Sequence, residues 1–297
     1  MDTVKKILND IKTLKIQGAT NVAKASLEVL NLVSKKSKAK TFDSYFKELE
    51  SVRDKILKTR PTEPMAYNII GLIIKDLKEY PNLEKAKKDL PRLIKYYVNR
   101  IKESKEEIGR IGSGLIRNGY TILTHCHSST VMSIFKSAKD SGKKFKVICT
   151  ETRPLYQGRI TAKELLKYKI DTTMIVDSAV SNVMKDVDVA FIGSDLITAT
   201  GDIVNKVGSM NVALACKRTD TPLYVAASIL KLDTSTLFGR TPVIEQRDPR
   251  EVWPNPPRGL KILNPAFEIV PSDLIKAIIT EKGIIRPDSV YDAFRTP

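Results

Sequence analysis

Residues 193–208 of this 297-residue chain read Gly-Ser-Asp-Leu-Ile-Thr-Ala-Thr-Gly-Asp-Ile-Val-Asn-Lys-Val-Gly, and they are its most informative stretch for chemistry. A mostly apolar run, Val187 to Ile192, stops abruptly at Gly193-Ser194-Asp195. Further on, Asn205-Lys206 precedes a helical pattern that opens at Gly208. The pattern predicts a strand that delivers a carboxylate at its carboxyl end. A loop then carries an amide and an ammonium to a helix start. Open α/β sheets bind ligands outside the carboxyl ends of their strands, and a helix start with a lysine beside it favours anions. The expectation is an acid/base group held next to a phosphate.

A second group sits in the same topological place. The run Tyr120–Leu123 ends in Thr124-His125-Cys126-His127-Ser128-Ser129, with a helical pattern following. A cysteine at a strand's carboxyl end, near the positive end of a helix, is expected to have a lowered pKa and to serve as a base or nucleophile. Cys149, inside an apolar run, and Cys216, inside a helical pattern, read as small buried apolar residues. The chain's two histidines flank Cys126. On extended backbone they point away from it, so they read as shaping the turn, and no metal site is expected. Cys126 and Asp195, two groups of different acidity facing one crevice, suit proton movement between adjacent carbons.

Other residues read as phosphate contacts. Gln17-Gly18-Ala19-Thr20 separates two helical patterns, and its glycine allows close backbone approach. Arg60, in Thr59-Arg60-Pro61-Thr62, lies between helices as a guanidinium fork. Arg153 follows the second strand in Glu151-Thr152-Arg153-Pro154, and Lys231 follows the fifth. Singly, each reads as solvated surface charge. Together, Arg60, Arg153, Lys206 and Lys231 exceed what one monophosphate needs and point to a bisphosphate.

The elements that must position these groups fall into two halves. Apolar residues recur at helical spacing at Val4, Ile7, Ile11 and Leu14, then at Val22, Ala25, Val29, Leu32 and Val33. Further helical stretches cover 43–58, 64–79 and 90–117, with Pro91 in the first turn of the last. From Gly119 the pattern changes to short β-rich runs at 120–123, 145–150, 172–176, 187–192 and 223–227. Helical segments at 128–140, 161–168, 178–185 and 208–218 alternate with them. Near-continuous apolar strands alternating with helices imply a parallel sheet covered on both faces. The expected architecture is α/β: a helical N-terminal domain, 1–117, and a Rossmann-like parallel-sheet domain, 118–297, that carries the acid/base pair.

Composition narrows the class. A hydrophobic content of 42% with 28% charged residues is that of a globular protein in water. No apolar run approaches a membrane span, and the N-terminus lacks a signal core. Three cysteines without CxxC spacing argue for a reducing compartment, so a cytoplasmic protein is expected. The net charge is +16, with about +11 of it in residues 1–120. The lysines are interleaved with acids and have few aromatic neighbours, which fits a solvated surface rather than a nucleic-acid interface.

Taken together, these motifs resemble the family that contains methylthioribose-1-phosphate isomerases, the regulatory subunits of translation initiation factor 2B and archaeal ribose-1,5-bisphosphate isomerases. The resemblance runs from Ile16-Gln17-Gly18-Ala19 to Gly283-Ile284-Ile285-Arg286-Pro287. Thr124-His125-Cys126-His127-Ser128, Thr150-Glu151-Thr152-Arg153-Pro154, Gln157-Gly158-Arg159, Asn205-Lys206-Val207-Gly208 and Asn264-Pro265-Ala266-Phe267-Glu268 look like the ribose-1,5-bisphosphate isomerase branch. The resemblance implies the same two-domain fold and an aldose–ketose isomerase turning ribose 1,5-bisphosphate into ribulose 1,5-bisphosphate. The acid/base pair falls on Cys126 and Asp195, with Cys126 as thiolate base and protonated Asp195 as donor; a direct hydride shift is equally compatible. Sugar-phosphate contacts fall on the Gly18 loop, Arg60, Asn205-Lys206 and Lys231. No cofactor is implied, and relatives assemble as dimers or as hexamers, trimers of dimers.

One departure stands out: Gln17 occupies a position where the isomerases usually carry arginine. A lost charge-assisted contact costs about 1.5–3 kcal/mol. The alternative is therefore a non-catalytic, initiation-factor-2B-like regulator that binds a sugar phosphate or nucleotide and contacts a translation initiation factor. A methylthioribose 1-phosphate isomerase also remains open.

Overall fold

The computed structural model describes residues 3–296. Its backbone separates into two compact units, Met1–Glu103 and Ser104–Pro297. The first is helical: α1 (Thr3–Lys12), α2 (Ala19–Lys36), α3 (Phe42–Thr59), α4 (Pro64–Lys78) and α5 (Leu83–Ser113), which runs on into the second unit. Each of α2 to α4 buries one stripe. On α2 this is Val22, Ala23, Ser26, Leu27, Val29 and Leu30; on α4 it is Ile69, Ile70, Ile73, Ile74 and Leu77. Thr41 starts α3 with a capping box shared with Ser44. Contrary to the sequence expectation, α5 begins at Leu83, so Pro91 lies inside it. Asn82 Oδ1 accepts the Lys85 N–H at 2.9 Å and supplies an earlier start.

In the second unit the elements are β1 (Thr121–His125), α6 (Ser129–Asp140), β2 (Lys146–Thr150), α7 (Gln157–Lys167), β3 (Asp171–Ile175), α8 (Val180–Val183), β4 (Val189–Gly193), β5 (Leu196–Thr198), β6 (Ile203–Lys206), α9 (Ser209–Arg218), β7 (Leu223–Ala226), β8 (Leu232–Asp233), β9 (Phe267–Val270), β10 (Ala277–Thr280), β11 (Gly283–Ile285) and α10 (Val290–Arg295). Seven strands form one sheet in the order β11-β10-β7-β4-β1-β2-β3, parallel except for β11. A smaller sheet runs β8-β5-β6-β9.

Alternation along the strands explains the apolar runs. On β4, Val189 and Phe191 join the cluster beneath α6, while Ala190 and Ile192 join the cluster with α9. Both faces are covered, so every residue of β4 is buried. Phe191 meets Phe135 edge-on at 6.0 Å and stacks on Tyr224 at 5.7 Å. Each fully buried apolar side chain of this kind contributes about 1.5–3 kcal/mol.

Two further expectations are corrected. The helix expected at 178–185 is only one turn, α8, flanked by 3-10 turns. α7 starts earlier than expected, at Gln157, because Gly158 packs onto the end of β2; a Cβ there would lie 1.7 Å from the Thr150 carbonyl oxygen. The small sheet was not read from the sequence at all. Its strands are two to four residues long, too short for a period to register.

Candidate active site

The site begins with strand order. From β1 the chain builds outward through β2 and β3, and from β4 it builds the other way through β7 and β10. β1 and β4 are parallel neighbours, with His125 opposite Ile192. They flank the point where the order reverses, and the crevice outside their carboxyl ends is where open α/β sheets take ligands. Cys126 follows β1 directly, and Asp195 follows β4 after Ser194.

Cys126 adopts a left-handed backbone, φ +67°. Its N–H donates to Thr152 Oγ1 at 3.0 Å and its carbonyl accepts from Thr161 Oγ1 at 2.8 Å. The thiol is partly buried, and burial pushes its pKa up to about 11. The nearby ammonium of Lys206 pulls it down, and the carboxylates of Asp195 and Asp177 push it up. This overturns the expected lowering by a helix start: desolvation outweighs the favourable charges. Asp195 holds its own place by donating its N–H to the Val204 carbonyl at 2.8 Å.

A model of the Initiation factor 2 subunit family matches residues 15–287 of the sequence. The chain belongs to this family. It is 38% identical to the ribose 1,5-bisphosphate isomerase of Archaeoglobus fulgidus, covering 98% of this chain and 92% of that one. It is 36% identical to the methylthioribose-1-phosphate isomerase of Geobacter sulfurreducens, covering 96% and 88%. Among solved structures, a translation initiation factor eIF-2B from Pyrococcus horikoshii superposes with a TM-score of 0.82 at 30% identity, covering 97% and 98%.

In this member of the initiation factor 2 subunit family, Asn205 and Lys206 lie on β6, not on a loop as the sequence suggested. The β5–β6 hairpin returns them towards Asp195. Asn205 Nδ2 donates to Ser209 Oγ at 2.7 Å. Lys206 Nζ sits 5.0 Å from the Phe267 ring centre. The expected anion site at the start of α9 is already taken. The N–H groups of Gly208 and Met210 both donate to Glu268 Oε1 at 2.7 Å, so the chain's own carboxylate meets that helix end's preference for negative charge. Lys231 is buried and its ammonium donates to the Ser194 carbonyl, one residue before Asp195.

Arg153 is differently engaged. Its guanidinium donates to the Val252 carbonyl and the Tyr156 hydroxyl, each at 2.8 Å, and to the Pro154 carbonyl. Those bonds anchor loops. In the first unit, Gly18 (φ +79°) opens α2, where Ala19 is buried and Thr20 half-buried. Gln17 is exposed, and its side-chain amide donates to the Leu14 carbonyl at 2.6 Å. Arg60 is buried and ion-paired with Glu63.

Asp177 and Glu268 shape the site without having been assigned to it from the sequence, while His125 shapes the turn as read. His125 Nδ1 lies 2.6 Å from Thr150 Oγ1 and Nε2 lies 2.9 Å from the Val207 carbonyl oxygen. Burial lowers its pKa, so the ring is neutral and hydrogen-bonded. Gly208, at φ +105°, leaves room for it: a Cβ there would come within 2.7 Å of the ring. Asp177 closely follows β3, the same strand-end position that marked Cys126 and Asp195, and that rule was sufficient to find it.

Proposed function

We propose that this chain is an aldose–ketose isomerase that converts ribose 1,5-bisphosphate to ribulose 1,5-bisphosphate, with Cys126 and Asp195 as its acid/base pair. The supporting observation is their placement at the ends of β1 and β4, the two strands that flank the reversal of strand order. Relatives that span nearly the whole chain are named isomerases, one of ribose 1,5-bisphosphate and one of methylthioribose 1-phosphate, which supports the isomerase part of this reading.

The raised thiol pKa supports roles opposite to those expected. At pH 7 a group with pKa about 11 is ionised in only ~10⁻⁴ of molecules, so Cys126 enters the reaction as an acid. In the cyclic substrate C1 carries both the ring oxygen and the phosphoryl oxygen. Cys126 donates its proton to the departing ring oxygen, which leaves C1 electron-poor and C4 with a hydroxyl. The hydrogen on C2 moves to C1 with its electron pair while Asp195 takes the proton of the C2 hydroxyl. C2 becomes the ketone and C1 a methylene bearing the phosphate. Proton return from Asp195 to the thiolate resets the pair. The two side chains account for both proton movements, so these steps call on no metal or organic cofactor.

Lys206, Asn205 and Lys231 bind phosphate beside the pair in this reading, and Gln17, Gly18, Ala19, Thr20 and Arg60 are the phosphate-binding residues proposed for the first unit. Arg153 contributes mainly by holding loops. The protein works in the cytoplasm as a homo-oligomer, a dimer or a trimer of dimers. Among the described residues no helix is long and apolar enough to cross a membrane.

The deciding experiment is ketose formation from ribose 1,5-bisphosphate by the purified protein, with Cys126→Ser and Asp195→Asn alongside. Turnover by wild type and a loss of roughly a thousandfold or more in both variants is expected. A folded wild type without turnover sinks the proposal. The second reading, a non-catalytic regulator that contacts a translation initiation factor, is favoured by Gln17 and by the likeness to a solved initiation-factor structure. It becomes the better account in that case.

A further inference from the structure

We infer that Asp177 is a positioning residue for Cys126, acting through the turn at residues 150–153; this rests on the reading of Cys126 as the acid of the reaction. Asp177 closely follows β3, an edge strand two places from β1 in the sheet. Its two carboxylate oxygens accept consecutive backbone N–H groups, Thr152 at 2.8 Å and Arg153 at 2.7 Å. Thr152, thus held, is left-handed at φ +63°, and its hydroxyl oxygen accepts the N–H of Cys126. Two non-glycine residues in left-handed conformation persist only where the surroundings over-determine them. Here the surroundings are Asp177 on Thr152, then Thr152 and Thr161 on Cys126.

The remaining bonds have one consistent direction. The Val207 carbonyl only accepts, so His125 Nε2 carries the ring proton and Nδ1 accepts from the Thr150 hydroxyl. Thr150 Oγ1 then accepts from the Thr152 hydroxyl 3.2 Å away. The Thr152 oxygen keeps its lone pairs for Cys126. The turn is therefore pinned by Asp177 on one side and by neutral His125 on the other. Asp177 also contributes negative charge near the thiol, opposite to the ammonium of Lys206 and in the same sense as Asp195.

The test uses Asp177→Asn, Asp177→Ala and Thr152→Val in the full chain. Cys126 alkylation by iodoacetamide is followed between pH 7 and 11 by peptide mass mapping, together with kcat, KM and thermal unfolding. In both Asp177 variants the alkylation midpoint should move to lower pH, because one of the two carboxylates that raise the thiol is gone. At the same time kcat should fall roughly a hundredfold, the scale of a misplaced catalytic group, with KM within about threefold. A more reactive thiol in a slower enzyme is the signature. Thr152→Val should reproduce the fall in kcat without the shift in alkylation midpoint. A merely structural role would instead expose Cys149 and Cys216 to labelling and leave kcat per folded molecule intact. An alkylation profile in the Asp177 variants that superimposes on wild type, or a kcat within twofold in any variant, overturns the inference. If wild type itself shows no turnover, the isomerase reading fails, and the alkylation profile still decides whether Asp177 governs Cys126.

Discussion

The protonation state of a single thiol separates two mechanisms that share the same residues. If Cys126 donates a proton, turnover holds level from neutral pH upward and falls as the thiol ionises towards pH 11. If it acts as a thiolate base, turnover rises over the same range. A pH–rate profile of kcat/KM between pH 6 and 11 reads this directly, and a rising limb would defeat the acid role. Stability is linked to the same groups. Cys126 and Cys149, raised to about 11, and Cys216, raised to about 12, hold their protons more tightly in the folded chain than the ordinary thiol, near 8.5, does unfolded. Their contribution is complete below pH ~8.5 and is lost as pH climbs through 11 to 12. A urea midpoint that falls over that window is the expected observation.

At the scale of elements, the site depends on how α9 is started. Helix ends leave their first N–H groups without intrahelical partners, and Glu268 on β9 accepts two of them. β9 pairs with β6, with Asn205 opposite Glu268 and Lys206 opposite Phe267, so one carboxylate ties the helix to the strand that carries two of the proposed phosphate contacts, Asn205 and Lys206. Glu268→Ala should cost about 1–2 kcal/mol by analogy with other helix caps, seen as a shifted denaturation midpoint. It should also raise KM for the bisphosphate more than it lowers kcat. An unchanged KM would mean that β6 keeps its place without the cap.

At the scale of the whole molecule, each unit carries residues proposed to bind phosphate. Gln17 and Arg60 belong to the first and the acid/base pair to the second. Gln17 donates to the Leu14 carbonyl, and an arginine can make the same bond while adding charge. Gln17→Arg is therefore expected to lower KM roughly tenfold or more, the equivalent of 1.5–3 kcal/mol, with kcat little changed. Lys15 is a poor substitute for that charge because it faces Asp10 at 3.7 Å. An unaltered KM would show that the first turn makes no contact with phosphate. Light scattering should return two or six times the mass of the chain, and a monomer at micromolar concentration would exclude the proposed assembly.

Much of this architecture was legible in the sequence because its signals are local. The apolar period of 3.6 marks α2 and α4, and buried runs such as Val189–Ile192 mark strands covered on both faces. Position at a strand's carboxyl end picked out Cys126 and Asp195 before any contact was known. The sequence alone therefore determined the element types and a helical part followed by a parallel sheet, and it nominated Cys126 and Asp195 as the acid/base pair proposed above. Tertiary structure decided what those residues are in their surroundings. Desolvation raised a thiol that its local position seemed to lower. The β5–β6 hairpin moved Asn205 and Lys206 from a loop onto a strand. Glu268, distant in sequence, filled the start of α9, and Asp177 reached across the strand ends to the turn that holds Cys126. Each depends on dielectric environment or on partners far along the chain, which no local pattern of residues encodes.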